Sequence, residues 1–420
     1  MPTPHRPSAR LLALTALLTI GLVGISACSS SRAADSSTTT TTTAPKSVPQ
    51  VDGGADDAAF RGPGPFDVGV TTLQLPDRPV EVWYPARAGS TAGVATSTYS
   101  QLDALPANLA AAAPALLPAD IPASVLTVTM TDTYRDVPAS PDGPFPLVLF
   151  SHGFGSFRLD ASALLRGIAS WGFVVAAPEH IERDRAAILT DPAMQQQVDE
   201  NDPAAMKAAE TRFEAITTKD VSVLVDTIGL VGAAGGPLQG LADTSKVGAV
   251  GHSAGGRAAL TSLSEPQIKV AVGWAAAGRA DIPAPDKPSM NIAARRDILV
   301  PLPEIKKTYA GMAPPKRLVV IKGAGHNSFT DICLAVKDGN DLIGLARRIG
   351  LQIPDNLLAG GQDGCAPGSL DTKLGWEITQ NYTVAELRNA LGVDTSGTGL
   401  GQGTATAFPP ARIKYRQALK

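Results

Sequence analysis

The chain has 420 residues, with 36 Lys and Arg interleaved among 39 Asp and Glu for a formal charge of −3. That balance, without a basic stripe, leaves no electrostatic footprint for nucleic acid. The chain is long for one domain, and the excess is expected in a sorting signal, a tether and loop insertions.

His5, Arg6 and Arg10 form a basic start, and Leu11 to Gly24 an apolar core too short for a comfortable membrane span. Ile25-Ser26-Ala27-Cys28 then matches the lipobox of bacterial lipoproteins. The match implies that residues 1–28 are a signal peptide and that Cys28 becomes a lipidated N-terminus. Residues 29–61 are rich in Ser, Thr and Pro, with Thr38 to Thr43 in one run. They cannot bury a core and are expected to stay disordered as a tether. The folded body, residues 62–420, would then sit outside the cytoplasm, held to the cell membrane by acyl chains.

Val68 to Leu73 and Val80 to Trp83 read as an antiparallel opening pair. Leu102 to Val125 is an Ala-, Leu- and Pro-rich insertion, placed for either a cap or a surface connection. Pro146 to Phe150 is a continuous apolar run, as a strand covered on both faces requires. Asp160 to Trp171 predicts a helix with Leu164, Leu165 and Ile168 at core spacing. Phe173 to Ala177 is the next strand, and Ile181 to Met206 a second, polar insertion. Glu179, His180, Glu182 and Asp184 gather between them, but without the helical H-E-x-x-H spacing that would make a metal site. Pro203 to Val231 predicts a long helix with Phe213, Ile216, Val221, Leu224, Val225 and Ile228 on its apolar face. The strands Val247 to Val250, Val270 to Val272, Met290 to Ala293 and Leu318 to Ile321 follow, and Val384 to Arg388 reads as a closing helix. Such alternation predicts an α/β fold with a mostly parallel central sheet flanked by helices.

Gly251-His252-Ser253-Ala254-Gly255 stands directly after one of these strands and before a small-residue helix start. With 41 glycines in the chain, G-x-S-x-G arises easily by chance, so the context carries the inference. Strand, sharp turn and helix with a serine at the apex is the nucleophile elbow of the α/β-hydrolase fold. Asp297 and His326 each follow a later strand, in the chain order Ser, Asp, His of that fold. Asp281 and Asp286 lie in the same region as Asp297 and are its competitors. A serine hydroxyl needs a base within reach and a group that orients the base, and His326 and Asp297 fill those roles. The oxyanion would take one N–H from Ala254 and one from the loop Ser151-His152-Gly153-Phe154-Gly155, where Phe154 is the expected donor. His152 in that loop is expected to brace it. Trp274 could wall a substrate pocket or belong to the core. Besides Cys28 the chain has Cys333 and Cys365, which in an exported protein are expected to pair.

On these motifs the chain resembles the type II platelet-activating-factor acetylhydrolases. The resemblance rests on Phe150 to Arg158, Ala169 to His180, Gly251 to Gly256 and His326 to Asp331. It grades into bacterial dienelactone-hydrolase-like and polyester-degrading esterases. It implies calcium-independent ester hydrolysis without a cofactor, with Ser253, Asp297 and His326 as triad and Phe154 and Ala254 as oxyanion donors. Two departures bear on the substrate: Ala254 replaces a bulky residue common in those lipid esterases, and residues 341–420 show no match. Lipid or short-acyl esters are the first expectation and a cutinase-like polyester the second. A lipoprotein that kept the fold to bind a ligand without catalysis is the rival from another class.

Overall fold

A computed structural model of the chain describes residues 48–117, 122–195, 198–199, 201–278, 285–336, 360–409 and 411–420. The expected signal peptide, Cys28, residues 29–47 of the tether and Asp281 lie outside the described residues.

The apolar runs form a ten-stranded sheet. Its strands are β1 (Val68–Gln74), β2 (Pro79–Pro85), β5 (Thr133–Arg135), β6 (Phe145–Ser151), β7 (Val174–Pro178), β8 (Ala242–His252), β9 (Ile268–Trp274), β10 (Ser289–Ala294), β11 (Lys316–Lys322) and β12 (Arg412–Ala418). Their order across the sheet is β12-β11-β10-β9-β8-β6-β7-β2-β1-β5. The centre from β7 to β11 is parallel, while β1–β2, β2–β7 and β11–β12 are antiparallel. The short strands β3 (Thr98–Ser100) and β4 (Thr127–Thr129) make a separate antiparallel pair at the first insertion.

Every residue of β6 is buried. Val148 and Phe150 enter one core and Leu147 and Leu149 the other, as the two-residue period of a strand demands. Among the described residues the α-helices are α1 (Ala107–Leu116), α2 (Ser162–Ser170), α3 (Arg185–Thr190), α4 (Pro192–Gln195), α5 (Pro203–Val231), α6 (Ala254–Thr261), α7 (Leu302–Gly311), α8 (Ile332–Val336) and α9 (Thr372–Ala390). The first core includes α2 and α9 side chains such as Leu165, Ile168, Ile378 and Tyr382. The second includes Val223, Leu224 and Ile228 of α5 and Ala259 and Leu260 of α6. This mixed, mostly parallel sheet between helices is the expected α/β-hydrolase fold.

Three expectations need correction. Residues 48–61 are not a free tether but part of the body. Phe60 is buried, edge-on to Trp171 with ring centroids 5.0 Å apart, and its N–H donates to Asn381 Oδ1 at 3.0 Å. Gly401 donates to the Ala55 carbonyl at 2.6 Å and Gly403 to Asp56 Oδ1 at 2.6 Å. A polar composition hid an apolar plug and a set of backbone partners. The closing helix is also longer than Val384 to Arg388, because Asp371 caps it by accepting from the Leu374 N–H at 3.0 Å. It does not close the chain, since β12 follows and pairs with β11. Phe213, finally, lies outside the core face of α5 and is 38% exposed.

Candidate active site

Ser253 stands where β8 runs into α6, with φ 55° and ψ −121°. Positive φ at a non-glycine residue costs roughly 1–3 kcal/mol, so its surroundings must enforce it. A Cβ on Gly251 would lie 2.2 Å from the Gly255 carbonyl oxygen, and one on Gly255 would lie 2.0 Å from that of Ser151. Only glycine fits either place, which lets α6 close down on the ends of β6 and β8. The Ser253 N–H donates to the Trp274 carbonyl at 2.9 Å and holds the turn. The serine is left partly exposed at the start of a helix.

Asp297 follows β10. Its Oδ1 accepts from the Leu299 and Val300 N–H groups at 2.9 and 2.7 Å, and its Oδ2 is 2.9 Å from His326 Nδ1. Both residues are buried, at 7% and 4% exposure. With the Nδ1 proton assigned to this bond, the Nε2 of His326 is unprotonated and able to take a proton. Asp286, its described competitor, is exposed.

His326 is fixed from two further sides. Its N–H donates to Asp363 Oδ2 at 3.0 Å, and its carbonyl is 2.9 Å from His252 Nε2. Burial drives His252 well below the ordinary imidazole range, so its ring is neutral beside His326. Asp363 Oδ2 also accepts from the Ile298 N–H at 2.9 Å, which ties the turn after Asp297 to the backbone of His326. Sequence reading missed Asp363. The available signal was its position two residues before Cys365, which is bonded to Cys333. The disulfide holds this segment against the His326 turn, where Asn327 donates to the Asp363 carbonyl at 2.8 Å.

The loop 151–155 lies against Ser253: a Cβ on Gly153 would sit 3.6 Å from Ser253 Cβ. Ala254 opens α6, so its N–H has no acceptor within the helix. Among the described residues the Phe154 N–H meets no hydrogen-bond acceptor either. The Phe154 ring stacks on Phe213 at 5.6 Å, which brings the N-terminal half of α5 over the loop.

His152 braces this loop. Its Nε2 accepts from the His180 N–H at 3.0 Å and is 2.9 Å from Glu179 Oε1, and its Nδ1 is 2.9 Å from the Gly153 carbonyl. Burial alone would raise the Glu179 carboxyl, but His152 and Arg158 outweigh it and hold the group down at about 2. Its acidic neighbours are engaged as well: Glu182 pairs with Arg78, and Asp184 caps α3 through the Ala187 N–H. Trp274 does not wall a pocket. It is fully buried against Phe150, and its Nε1 donates to Thr383 Oγ1 at 3.0 Å.

A serine on a strained turn, an orientable base, a carboxylate and two free N–H donors are the parts of a nucleophilic acyl-transfer site. Comparison with known proteins points the same way. A family model for platelet-activating factor acetylhydrolase, isoform II, matches residues 103–223. The chain is 32% identical over 158 residues to the platelet-activating factor acetylhydrolase of Cavia porcellus, covering 31% of this chain and 36% of that protein. It is 50% identical over 50 residues to the Gallus gallus enzyme of that name, covering 12% of this chain and 11% of that one. The matches therefore span about a third or less of these relatives. A ferulic acid esterase from Streptomyces cinnamoneus superposes with a TM-score of 0.54 at 21% identity, over 78% of this chain and 90% of that one, which bears on the fold. In the matched segments the chain is similar to the platelet-activating factor acetylhydrolases, and it carries them on an α/β-hydrolase fold.

Proposed function

We propose that the protein is a serine carboxylic ester hydrolase that works through an acyl-enzyme on Ser253. The observation that carries the proposal is the strained elbow at Ser253, φ 55°, whose preceding residue His252 lies 2.9 Å from the carbonyl of His326, itself in a buried pair with Asp297 at 2.9 Å. Ser253 Oγ attacks the ester carbonyl while His326 Nε2 takes its proton. The C–O bond to the leaving alcohol breaks as His326 returns that proton. Water then attacks the acyl-serine by the same route and releases the acid. Asp297 holds the imidazole tautomer and stabilises the imidazolium. The N–H groups of Phe154 and Ala254 receive the oxyanion, each donor worth roughly 3–4 kcal/mol to the transition state.

The substrate is a lipid or short-acyl ester, in keeping with the named activity of the matched relatives. The half-buried Phe154 and the exposed Phe213, Ile298 and Leu299 support an apolar substrate, because they follow or overlie the segments that carry the site. The lipobox ending at Cys28 supports a lipid-anchored enzyme on the outer side of the membrane. Turnover of p-nitrophenyl esters of increasing acyl length, beside a short-acyl phospholipid, tests this reading. Hydrolysis of both, lost in Ser253→Ala, is expected. No turnover of any ester by the wild type contradicts it.

A further inference from the structure

A buried polar array lies behind the Phe154 loop, and none of its side chains enters the proton transfers and bond changes just described. Arg183 is fully buried at its centre. Its Nη1 donates to the carbonyls of His152 and Gly153 at 2.7 and 2.8 Å, its Nη2 to Ser151 Oγ at 3.0 Å, and its Nε to Asp220 Oδ2 at 2.7 Å. Its own carbonyl accepts from the Gly155 N–H at 2.9 Å.

The same array holds a second serine–imidazole–carboxylate chain. Ser151 Oγ is 2.9 Å from His180 Nε2, and His180 Nδ1 is 2.8 Å from Asp220 Oδ1. Exposures of 0%, 0% and 1% for Ser151, His180 and Asp220 keep any substrate away, so this is not a second active site. Burial lowers His180 to about 4, which leaves its ring neutral. Burial would raise Asp220, but Arg183 and His180 overcome that and hold its carboxyl far below the ordinary range. Asp220 is therefore the counter-charge of Arg183. A buried ion pair stabilises little by itself, and this one is placed where it controls geometry.

In a trans peptide the C=O and N–H point in opposite directions. With the Gly153 carbonyl drawn to the Arg183 guanidinium, the Phe154 N–H of the same peptide points away from it. A Cβ on Gly153 would point at the elbow, 3.0 Å from His252 Nδ1 and 3.6 Å from Ser253 Cβ. The next peptide plane is fixed too, because its Gly155 N–H is bonded to the Arg183 carbonyl. We propose that Arg183 is a positioning residue that preorganises the oxyanion hole by clamping the peptides on both sides of Phe154. It acts through the Phe154 N–H and touches no substrate. The proposal rests on the hydrolase reading above.

Arg183→Lys keeps a charge for Asp220 but replaces a planar fork with a point donor that cannot span both carbonyls and Ser151. For the folded variant we expect kcat on a p-nitrophenyl ester to fall about 100-fold, the scale of one lost oxyanion donor. KM should move less than about threefold, and the affinity for a trifluoromethyl ketone should fall in step with kcat/KM. A variant within about threefold of wild-type kcat, or one whose lost kcat has no counterpart in ketone affinity, overturns the clamp. If Arg183→Lys does not fold, Ser151→Ala, which removes one contact of the guanidinium, decides. A drop of about tenfold in kcat at unchanged KM supports the clamp, and wild-type kcat overturns it. An inert wild type takes down the hydrolase reading and the clamp with it, whereas an active wild type with an unimpaired Arg183→Lys takes down the clamp alone.

Discussion

At the scale of residues the site is a set of fixed orientations. Asp297 spends one oxygen on two backbone N–H groups and gives the other to His326, so neither carboxylate nor ring is free to turn. Asp297→Asn keeps the shape but presents an N–H where His326 needs an acceptor, which favours the wrong tautomer. We expect kcat to drop about 10⁴-fold with the fold intact, measured on a p-nitrophenyl ester beside a thermal melt. A loss of less than about tenfold would assign the orienting role elsewhere. The same logic explains which residues were readable from sequence. Ser253, Asp297 and His326 follow strands at fixed fold positions and carry distinctive chemistry. Arg183 and Asp363 act through backbone atoms of other segments, 30 and 37 residues away along the chain, and no local pattern announces such a contact.

At the scale of elements, strands that are apolar throughout were legible because burial on both faces leaves a continuous run. The helix 203–231 was legible to its ends because Asp202 caps one end, accepting from the Ala204 N–H at 2.8 Å, and Gly232 closes the other. β12 was not legible. Its Arg412, Lys414 and Arg416 alternate with Ile413 and Tyr415, the charged pattern of a protected edge strand, and this reads locally as a polar tail. Residues 48–61 were misread for a related reason, since Phe60 is a lone apolar anchor in polar surroundings. The disulfide joins α8 to the segment carrying Asp363, across 32 residues. Replacing Cys365 by Ser is expected to cost about 3–4 kcal/mol in a urea melt. It should also lower kcat, because Asp363 then holds His326 and Ile298 less firmly. Unchanged kcat in the folded variant would separate the disulfide from the site.

At the scale of the whole molecule, buried ionisable groups set opposed pH dependences. Burial raises Asp331 from its ordinary value of 3.8 to about 7, although Ser162 Oγ and the Ala163 N–H both bond to it. The folded state therefore holds this proton more tightly than the unfolded chain does. Its contribution to stability is complete below about pH 4 and is lost as pH rises to about 7. His180, lowered from 6.5 to about 4, works the other way, and its share is lost as pH falls through that interval. Asp331→Asn cannot titrate. The stability margin of wild type over this variant should shrink between pH 4 and pH 7 and then stay level, as read by urea denaturation at each pH. A margin that grows with pH contradicts the assignment.

If the fold activates Ser253 as a nucleophile, a fluorophosphonate probe must react with it. Wild type is expected to be labelled, with the adduct placed on Ser253 by mass spectrometry, and Ser253→Ala to take up no probe. No labelling of folded wild type, or equal labelling of Ser253→Ala, would contradict it.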